Sequence, residues 1–230
     1  MDMNTLINVD KWSSTTVVSD VLQALGYKNG QVVSNLNPIN QVAKTIKVMA
    51  QAFPVESLHG SSLYLHLATY SNVRGKVIVV KTGNPYWNKC AFLGEIQALT
   101  AERNGAVGII IDGCVRDIDG LNELQIPIWA RGVRPNVASK EDYGQIGSPI
   151  VIDETVIEQD DIILIDHDGI VIIPKNLLAT VHEKACKKDF QDVCRAEAVK
   201  NFDFKSCKTL FDFEDIMTPA VAKFIKTQKR

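Results

Sequence analysis

The sequence is most easily read first through what it lacks. No apolar run approaches the ~18 residues needed to cross a bilayer, so a membrane-spanning helix is not expected. The opening stretch MDMNTLINVDKW has neither the basic segment nor the apolar stretch of a secretory leader, which leads us to expect a cytoplasmic protein. The five cysteines, at positions 90, 114, 186, 194 and 207, form no CxxC pair. An odd, scattered set of this kind fits reduced thiols rather than a disulfide framework or a zinc site. The eight-residue separation of Cys186 and Cys194 on an expected helix points to packing. The four histidines, at 59, 66, 167 and 182, make no HExxH and no triad spacing. There is also no GxGxxG crossover and no GxxxxGK[ST], so nicotinamide and nucleotide chemistry have no local support. Charge of one sign is lacking as well. The net charge is −2 and no Arg/Lys stripe is interleaved with aromatics, which argues against a nucleic-acid partner. The basic tail KTQKR reads as a solvated chain end.

What is present is an ordinary globular composition, 46% hydrophobic and 23% charged over 230 residues, enough for one large domain. Alternating patterns of period 3.6 and period 2 predict an α/β chain. SSTTVVSDVLQALGYKNG is expected to be a helix capped by Ser or Thr and ended by Gly26 or Gly30. TIKVMA (45–50) reads as a strand. HGSSLYLHLATYSNV reads as a helix with Leu63, Leu65, Leu67 and Tyr70 on its apolar side, and His66 there as a structural or surface residue. GKVIVVK (75–81) reads as a strand covered on both faces. A long helix is expected over 89–103, stopped by Asn104-Gly105, with Ala91, Phe92, Ile96, Leu99 and Ala101 as its apolar positions. Strands follow at 106–112 and 126–130, with a short helix or turn near 118–123. Three short strands are expected within 149–174, with a hairpin turn at Asp168-Gly169. A long helix then runs from 176 to about 200, with a short one near the end. We expect one domain over 1–205 and a C-terminal extension, 206–230, packed on it or on a neighbouring subunit.

Chemistry is concentrated in IIIDGCVRDIDG (109–120), where an apolar run is followed by Arg116 between the carboxylates Asp112 and Asp117. A second loop, TGNPYWNKCAFLGEIQALT, carries Gly94-Glu95. Two such strand-to-helix loops can meet at one sheet edge, where α/β folds commonly bind ligands. Amides near Glu95, Ile96 and Gln97 could receive a carboxylate, and Arg116 could clamp the same anion with two directed donors. Asp117 suits a hard divalent cation, and Glu95 could hold a water on it. The residues alone leave this reading open beside plain loop carboxylates and an internal Arg salt bridge. Asp112 reads as shaping the strand-end turn, Asp119 as pairing with a nearby cation or facing water, and Arg131 as either a substrate contact or a salt-bridge partner. Trp87 and Phe92 read as packing residues.

From STTVVSDVLQALG, through GNPYWNKCAFLGEIQALTAERNGAVGIIIDGCVRDIDGLNELQIPIWARGVRPN, to DGIVIIP, the chain resembles the RraA-like family over most of residues 15–200. Within that family it is most similar to 4-hydroxy-4-methyl-2-oxoglutarate/4-carboxy-4-hydroxy-2-oxoadipate aldolases. The family motif is an acidic residue, twenty intervening residues, then Arg-Asp; here Glu95, residues 96–115 and Arg116-Asp117 reproduce it, with Glu where those enzymes carry Asp. VAKTIKVMA and VIEQDD depart from the family's glycine-rich strand and Pro-Gly-Asp turn.

The resemblance implies an α/β/β/α sandwich, assembled as a homotrimer or hexamer with sites between subunits. It implies Mg²⁺ or Mn²⁺ held by Asp117, a small 2-oxo acid substrate held by Arg116, and Glu95 orienting a water or assisting proton transfer. The amides that follow Glu95, with Gly94, Ile96 and Gln97, would hold a substrate carboxylate, and a glutamate from a neighbouring subunit, with Glu197 as a candidate, would complete the site. The activity implied is class II pyruvate aldolase, with oxaloacetate decarboxylation through the same enolate. The alternative is a non-catalytic oligomeric regulator of an RNA-processing protein.

Overall fold

The structure, a computed structural model, describes residues 8–228. The first seven residues read against a secretory leader, and the last two of the KTQKR tail, lie outside them. The chain divides into two units, Met1–Ala185 and Cys186–Arg230, and each is described by itself.

The strands of the first unit are β1 (Asn37–Pro38), β2 (Val48–Ser57), β3 (Lys76–Lys81), β4 (Ala91–Leu93), β5 (Gly108–Val115), β6 (Ile128–Val133), β7 (Gly144–Ile146), β8 (Ile150–Ile152), β9 (Thr155–Ile157), β10 (Ile162–Asp166) and β11 (Gly169–Ile173). Its helices are α1 (Thr15–Ala24), α2 (Leu63–Thr69), α3 (Glu95–Arg103) and α4 (Ile118–Asn122), and α5 (Leu178–Lys200) begins in it. Nine strands form one sheet along β1-β6-β5-β3-β2-β10-β11, with β4 paired to β5 and β7 to β2. The centre, β2, β3, β5 and β6, is parallel, and β10 and β11 extend it antiparallel. β8 and β9 make a separate hairpin.

Alternation along the strands sorts the side chains into layers. Val55, Ile78, Val80, Ile109 and Ile111 face Leu65 and Ala68 of α2 and Ala98 and Ala101 of α3. Their neighbours Ala52, Val77, Val79 and Ile110 face the other way, onto Ile150, Ile152 and Ile157 of the hairpin and Ile163, Ile165 and Ile172 of the curled-over strands. The intervening Ile162, Leu164, Val171 and Ile173 point outward again, onto Val18, Val21 and Leu22 of α1 and Val181 of α5. Helix, sheet, sheet and helix follow in turn, which is the expected α/β/β/α sandwich. Each buried isoleucine contributes about 1.5–3 kcal/mol, so this double-sided burial is the main source of the fold's stability.

Four local expectations are corrected. The helix expected from 89 begins only at Glu95, because Ala91-Phe92-Leu93 is taken up as strand β4, pairing in parallel with the end of β5. Ile96, read as an apolar contact, is 66% exposed, and Leu67 and Tyr70 of α2 also face solvent. β2 starts at Val48 rather than 45 and runs on to Ser57 rather than ending at 50, with Pro54 inside it. The stretch 149–174 holds four short strands rather than three, because Ile152–Thr155 closes a tight hairpin with Asp153 and Glu154 both at positive φ. The long helix α5 and the hairpin at Asp168-Gly169 fall where expected.

The second unit holds the remainder of α5, a 3-10 turn at Leu210–Ile216 and α6 (Pro219–Gln228). Thr209 and Asp212 cap the 3-10 turn reciprocally. The rings of Phe202, Phe204 and Phe213 cluster at 5.1–6.1 Å, and Arg195 Nε donates to the Ile216 carbonyl at 3.2 Å. Glu197 accepts from Lys200 Nζ at 2.5 Å. Cys186 and Cys194, read as packing residues, are both exposed. Among the described residues no helix is long and apolar enough to cross a membrane.

Candidate functional site

Strand β5 is buried along its whole length and delivers Arg116 and Asp117 to the sheet edge. The Arg116 N–H donates to the Leu93 carbonyl at 2.9 Å, which lashes the end of β5 to the end of β4. Two loops separated by twenty residues are thereby brought side by side. Asp117 then turns the chain in the left-handed region, at φ +59° and ψ +48°, and α4 starts after it. Aspartate tolerates that conformation better than most residues, although it costs free energy; such backbone is found most often at functional positions.

Gly94 enters α3 from β4 without a side-chain cap of its own. The cap comes from across the loop pair: the Glu95 N–H donates to Asp117 Oδ2 at 3.3 Å, and the same oxygen lies 3.5 Å from Arg116 Nε. The first intrahelical bond is made by Ala98, to Gly94 O at 3.1 Å. The N–H groups of Ile96 and Gln97 therefore face out of the helix end and are available to an anion. A β-carbon at position 94 would stand 2.5 Å from Asp117 Oδ2 and 3.2 Å from Arg116 Nε, so a side chain there would have to move the Asp117 carboxylate. The Glu95 carboxylate lies over Gly120 of α4, in space that a β-carbon there would overlap.

Beside this junction is a pocket of about 190 Å³, lined among others by His66, Gly94, Gln97, Arg116 and Lys140. It is smaller than the ~300–1,000 Å³ of pockets for drug-sized ligands and suits a small metabolite. Lys140 reaches it from the loop after β6, and its ammonium donates to Ser62 Oγ at 2.6 Å. Burial and then the charge of Arg116 hold the Lys140 pKa below its ordinary value. Burial and then Lys140 lower that of His66. Among the described residues no carboxylate lines the pocket. Two cations and an imidazole in such a space, at a helix N-terminus, would favour an anion over a cation there.

The sequence-derived residues Gly94, Glu95, Arg116 and Asp117 are thus assembled at one place, with Gln97 on the pocket wall and Ile96 beside it. Lys140 and His66 were not anticipated as pocket residues. His66 lies in an amphipathic helix and Lys140 in a loop without periodicity, so neither carries a local signal. Asp112 faces away from the pocket. It is buried and paired with Arg131 and, at 3.4 Å, with Lys81. Arg131 also donates to Asp153 at 2.9 Å and lies 5.7 Å from the Trp87 ring centroid. Burial pushes the Asp112 carboxyl up, and its two cationic partners pull against that shift. This network ties β3, β5 and β6 to the β8–β9 turn, so the salt-bridge reading of Arg131 is the one realised. Asp119 is exposed.

Among the described residues no three His, Cys, Asp or Glu side chains gather in a way that could hold a metal ion. The acidic groups beside the pocket are Asp117 and Glu95, hard oxygen donors. They suit a hard divalent cation that takes its remaining ligands from water and from a bound oxygen-rich ligand.

Residues 15–172 match the family model RraA-like, described as Aldolase/RraA. A Halalkalibacterium halodurans protein, provisionally named 4-hydroxy-4-methyl-2-oxoglutarate aldolase, is 30% identical over 187 residues, covering 81% of this chain and 85% of its own length. An Arabidopsis thaliana protein with the same provisional name, numbered 3, is 34% identical over 98 residues. That match covers 43% of this chain and 58% of the relative. Among solved structures, Streptomyces coelicolor RraAS2, described as an unusual member of the RNase ES inhibitor RraA protein family, superposes with a TM-score of 0.72. It is 22% identical over 86% of this chain and 100% of its own; at that identity it speaks for the fold alone. With the family model spanning the sheet, the candidate site and the β10–β11 hairpin, the chain belongs to the RraA-like family.

Proposed function

We propose that this chain is a divalent-metal-dependent pyruvate aldolase acting on 4-hydroxy-2-oxo dicarboxylates. The observation that carries the reading is the junction of Arg116 and Asp117 with the first turn of α3, whose Ile96 and Gln97 amides have no intrahelical partner, beside a small pocket lined by cations. Asp117, with its oxygens at the mouth of the junction, would hold Mg²⁺ or Mn²⁺. When bound, such an ion would withdraw electron density from the 2-oxo acid as the carbon–carbon bond breaks.

The remaining work falls to the chain's own groups. The amides of Ile96 and Gln97 receive the substrate's first carboxylate, and the Arg116 guanidinium spans that carboxylate and the neighbouring carbonyl oxygen. In cleavage the 4-hydroxyl proton leaves, the C3–C4 bond breaks, and its electron pair passes to the keto acid as the enolate of pyruvate. A second carbonyl compound departs. Arg116 lies beside the oxygen on which negative charge grows. Glu95, exposed at the start of α3, takes the hydroxyl proton through a water. The enolate is then protonated at C3. Oxaloacetate gives the same enolate by losing CO₂, so decarboxylation is an expected side activity.

The relatives with aldolase names and the acid–x20–Arg-Asp spacing support this reading. We also propose that the site is completed by further copies of the chain in a trimer or hexamer. The exposed apolar side chains of Ile96, Val133 and Val137, clustered around the junction, favour burial against another copy. The decisive assay follows pyruvate release from 4-hydroxy-2-oxoglutarate, 4-hydroxy-4-methyl-2-oxoglutarate and oxaloacetate, with Mg²⁺ or Mn²⁺ and with chelator. A folded preparation that releases no metal-dependent pyruvate from any of them sinks the proposal. A stoichiometric complex with an RNA-processing protein would then take its place.

A further inference from the structure

Three connections from distant parts of the chain meet where β2 and β3 end. His59 follows β2, Tyr86 lies in the 3-10 turn after β3, and Glu141 and Tyr143 precede β7. Strand register brings them together: Ser57 at the end of β2 pairs with Gly144, and Glu56 with Lys81 at the end of β3. His59, Tyr86, Glu141 and Tyr143 line a cavity of about 310 Å³. None of the four lines the pocket beside α3.

The walls are held by backbone bonds. The Leu58 N–H donates to the Tyr143 carbonyl at 3.0 Å, and the Ser61 hydroxyl to the Glu141 carbonyl at 2.6 Å. Tyr86 packs on Gly60, where a β-carbon would stand 3.1 Å from its ring. The His59 ring meets that of Tyr143 at 5.1 Å and 76°, and that of Tyr86 at 5.9 Å and 79°. Rings set nearly at right angles form a corner for a rounded group, not a parallel slot for a flat one.

The charge of the cavity is negative. Aromatic faces carry the negative side of a quadrupole, and the Glu141 carboxylate adds a full charge. Among the described residues that carboxylate has no hydrogen-bond or ion-pair partner, only the backbone of Glu141 being engaged. Among the described residues no Lys or Arg lines the cavity. The Lys89 ammonium stands 5.2 Å from the Tyr86 ring centroid without lining the cavity, so this ring already accepts a cation. A bare ammonium is strongly hydrated and wants several acceptors, whereas the cavity offers one carboxylate. A methylated ammonium spreads its charge over apolar groups that suit aromatic walls.

We propose that His59, Tyr86, Tyr143 and Glu141 bind a methylated ammonium group, carried by a choline-like small molecule or by a trimethylated lysine side chain. The aldolase reading is not needed for this, and the ligand is opposite in charge to the one the pocket beside α3 favours.

The test is an NMR titration of the full chain with choline and with 3,3-dimethylbutan-1-ol, a neutral molecule of the same shape. Choline is expected to bind about tenfold more tightly, the scale of one or two cation–π contacts, with amide shifts centred on residues 59, 86 and 141–143. Tyr143→Leu should remove most of that preference and Tyr143→Phe should keep it, because the ring face is used and not the hydroxyl. Glu141→Gln should weaken choline about threefold and leave the neutral alcohol unchanged. Both positions are exposed, so these variants are expected to fold, and thermal unfolding checks it.

A second arm compares a short peptide carrying trimethyl-lysine with the same peptide unmodified. Tighter binding of choline than of the methylated peptide assigns the site to a small molecule, and the reverse assigns it to a modified protein. Equal affinity for choline and the neutral alcohol, choline binding unchanged in Tyr143→Leu, or shifts centred on Arg116 and Lys140 overturns the proposal. Pyruvate release, measured separately, bears on the aldolase reading alone.

Discussion

The Asp117 carboxylate accepts the backbone N–H of Glu95 at 3.3 Å, so the residue that ends one strand–helix connection caps the helix of the next. Replacing it by asparagine preserves size and the ability to accept that bond through Oδ1, but removes the negative charge. Asp117→Asn is expected to fold normally and to lose metal-dependent turnover on the order of 100-fold. Normal metal affinity together with normal turnover would remove Asp117 from the metal; lost turnover with normal affinity would assign it to substrate organisation.

Arg116→Lys keeps the charge and loses the planar pair of donors. A fall in kcat/KM on the order of 100-fold is expected, with thermal stability little changed, because the side chain is 38% exposed. Activity near that of the wild type would show that a point charge suffices there.

Gly94→Ala places a methyl group 2.5 Å from Asp117 Oδ2. Relief moves the Asp117 side chain away from the first turn of α3, so activity should fall about as far as in Asp117→Asn, and unfolding free energy by the roughly 0.5–2 kcal/mol of a lost helix cap. Denaturant unfolding and pyruvate release measure both, and an active, fully stable Gly94→Ala protein would contradict the geometry.

Arg131→Met leaves Asp112 buried with only Lys81 at 3.4 Å for compensation. A loss of about 3 kcal/mol or more is expected, and Asp112→Asn added to it should recover part of that loss. If the double variant is no more stable than Arg131→Met, the cost arises from lost packing on Trp87 instead.

His66 titrates below its ordinary value because burial and Lys140 disfavour its cation. The unfolded chain therefore binds the proton first. The contribution of the neutral ring is fully present above ~6.5 and declines as pH falls from there through the lower folded pKa. Melting temperature followed downward from pH 7 should fall less steeply for His66→Gln than for the wild type; identical slopes would count against a half-buried ring held neutral by its surroundings.

The readable part of this molecule was the part written in local patterns. The capped helix α1, the valine-rich β3 and the isoleucine run of β5 have periodicities that leave few alternatives, and the Glu95 to Arg116-Asp117 spacing marked the two loops that meet. Strand β4 was hidden because Ala91-Phe92-Leu93 satisfies a helical pattern equally well. Only its pairing with the end of β5 decides for strand, and that pairing is what places Glu95 in a first turn. Lys140 and His66 were invisible as pocket residues for a related reason: they are brought together by sheet order, which no window along the chain contains.

The position of the Glu95 carboxylate over Gly120 has an evolutionary consequence. The Glu95 carboxylate occupies the space that a β-carbon at position 120 would take, so a side chain there would have to move that exposed carboxylate. A lineage that shortened Glu95 to aspartate would open room for alanine at 120. One that acquired alanine at 120 first would displace the carboxylate from its place over α4. Gly120, which bears no functional group of its own, thereby helps decide where the acid beside it sits.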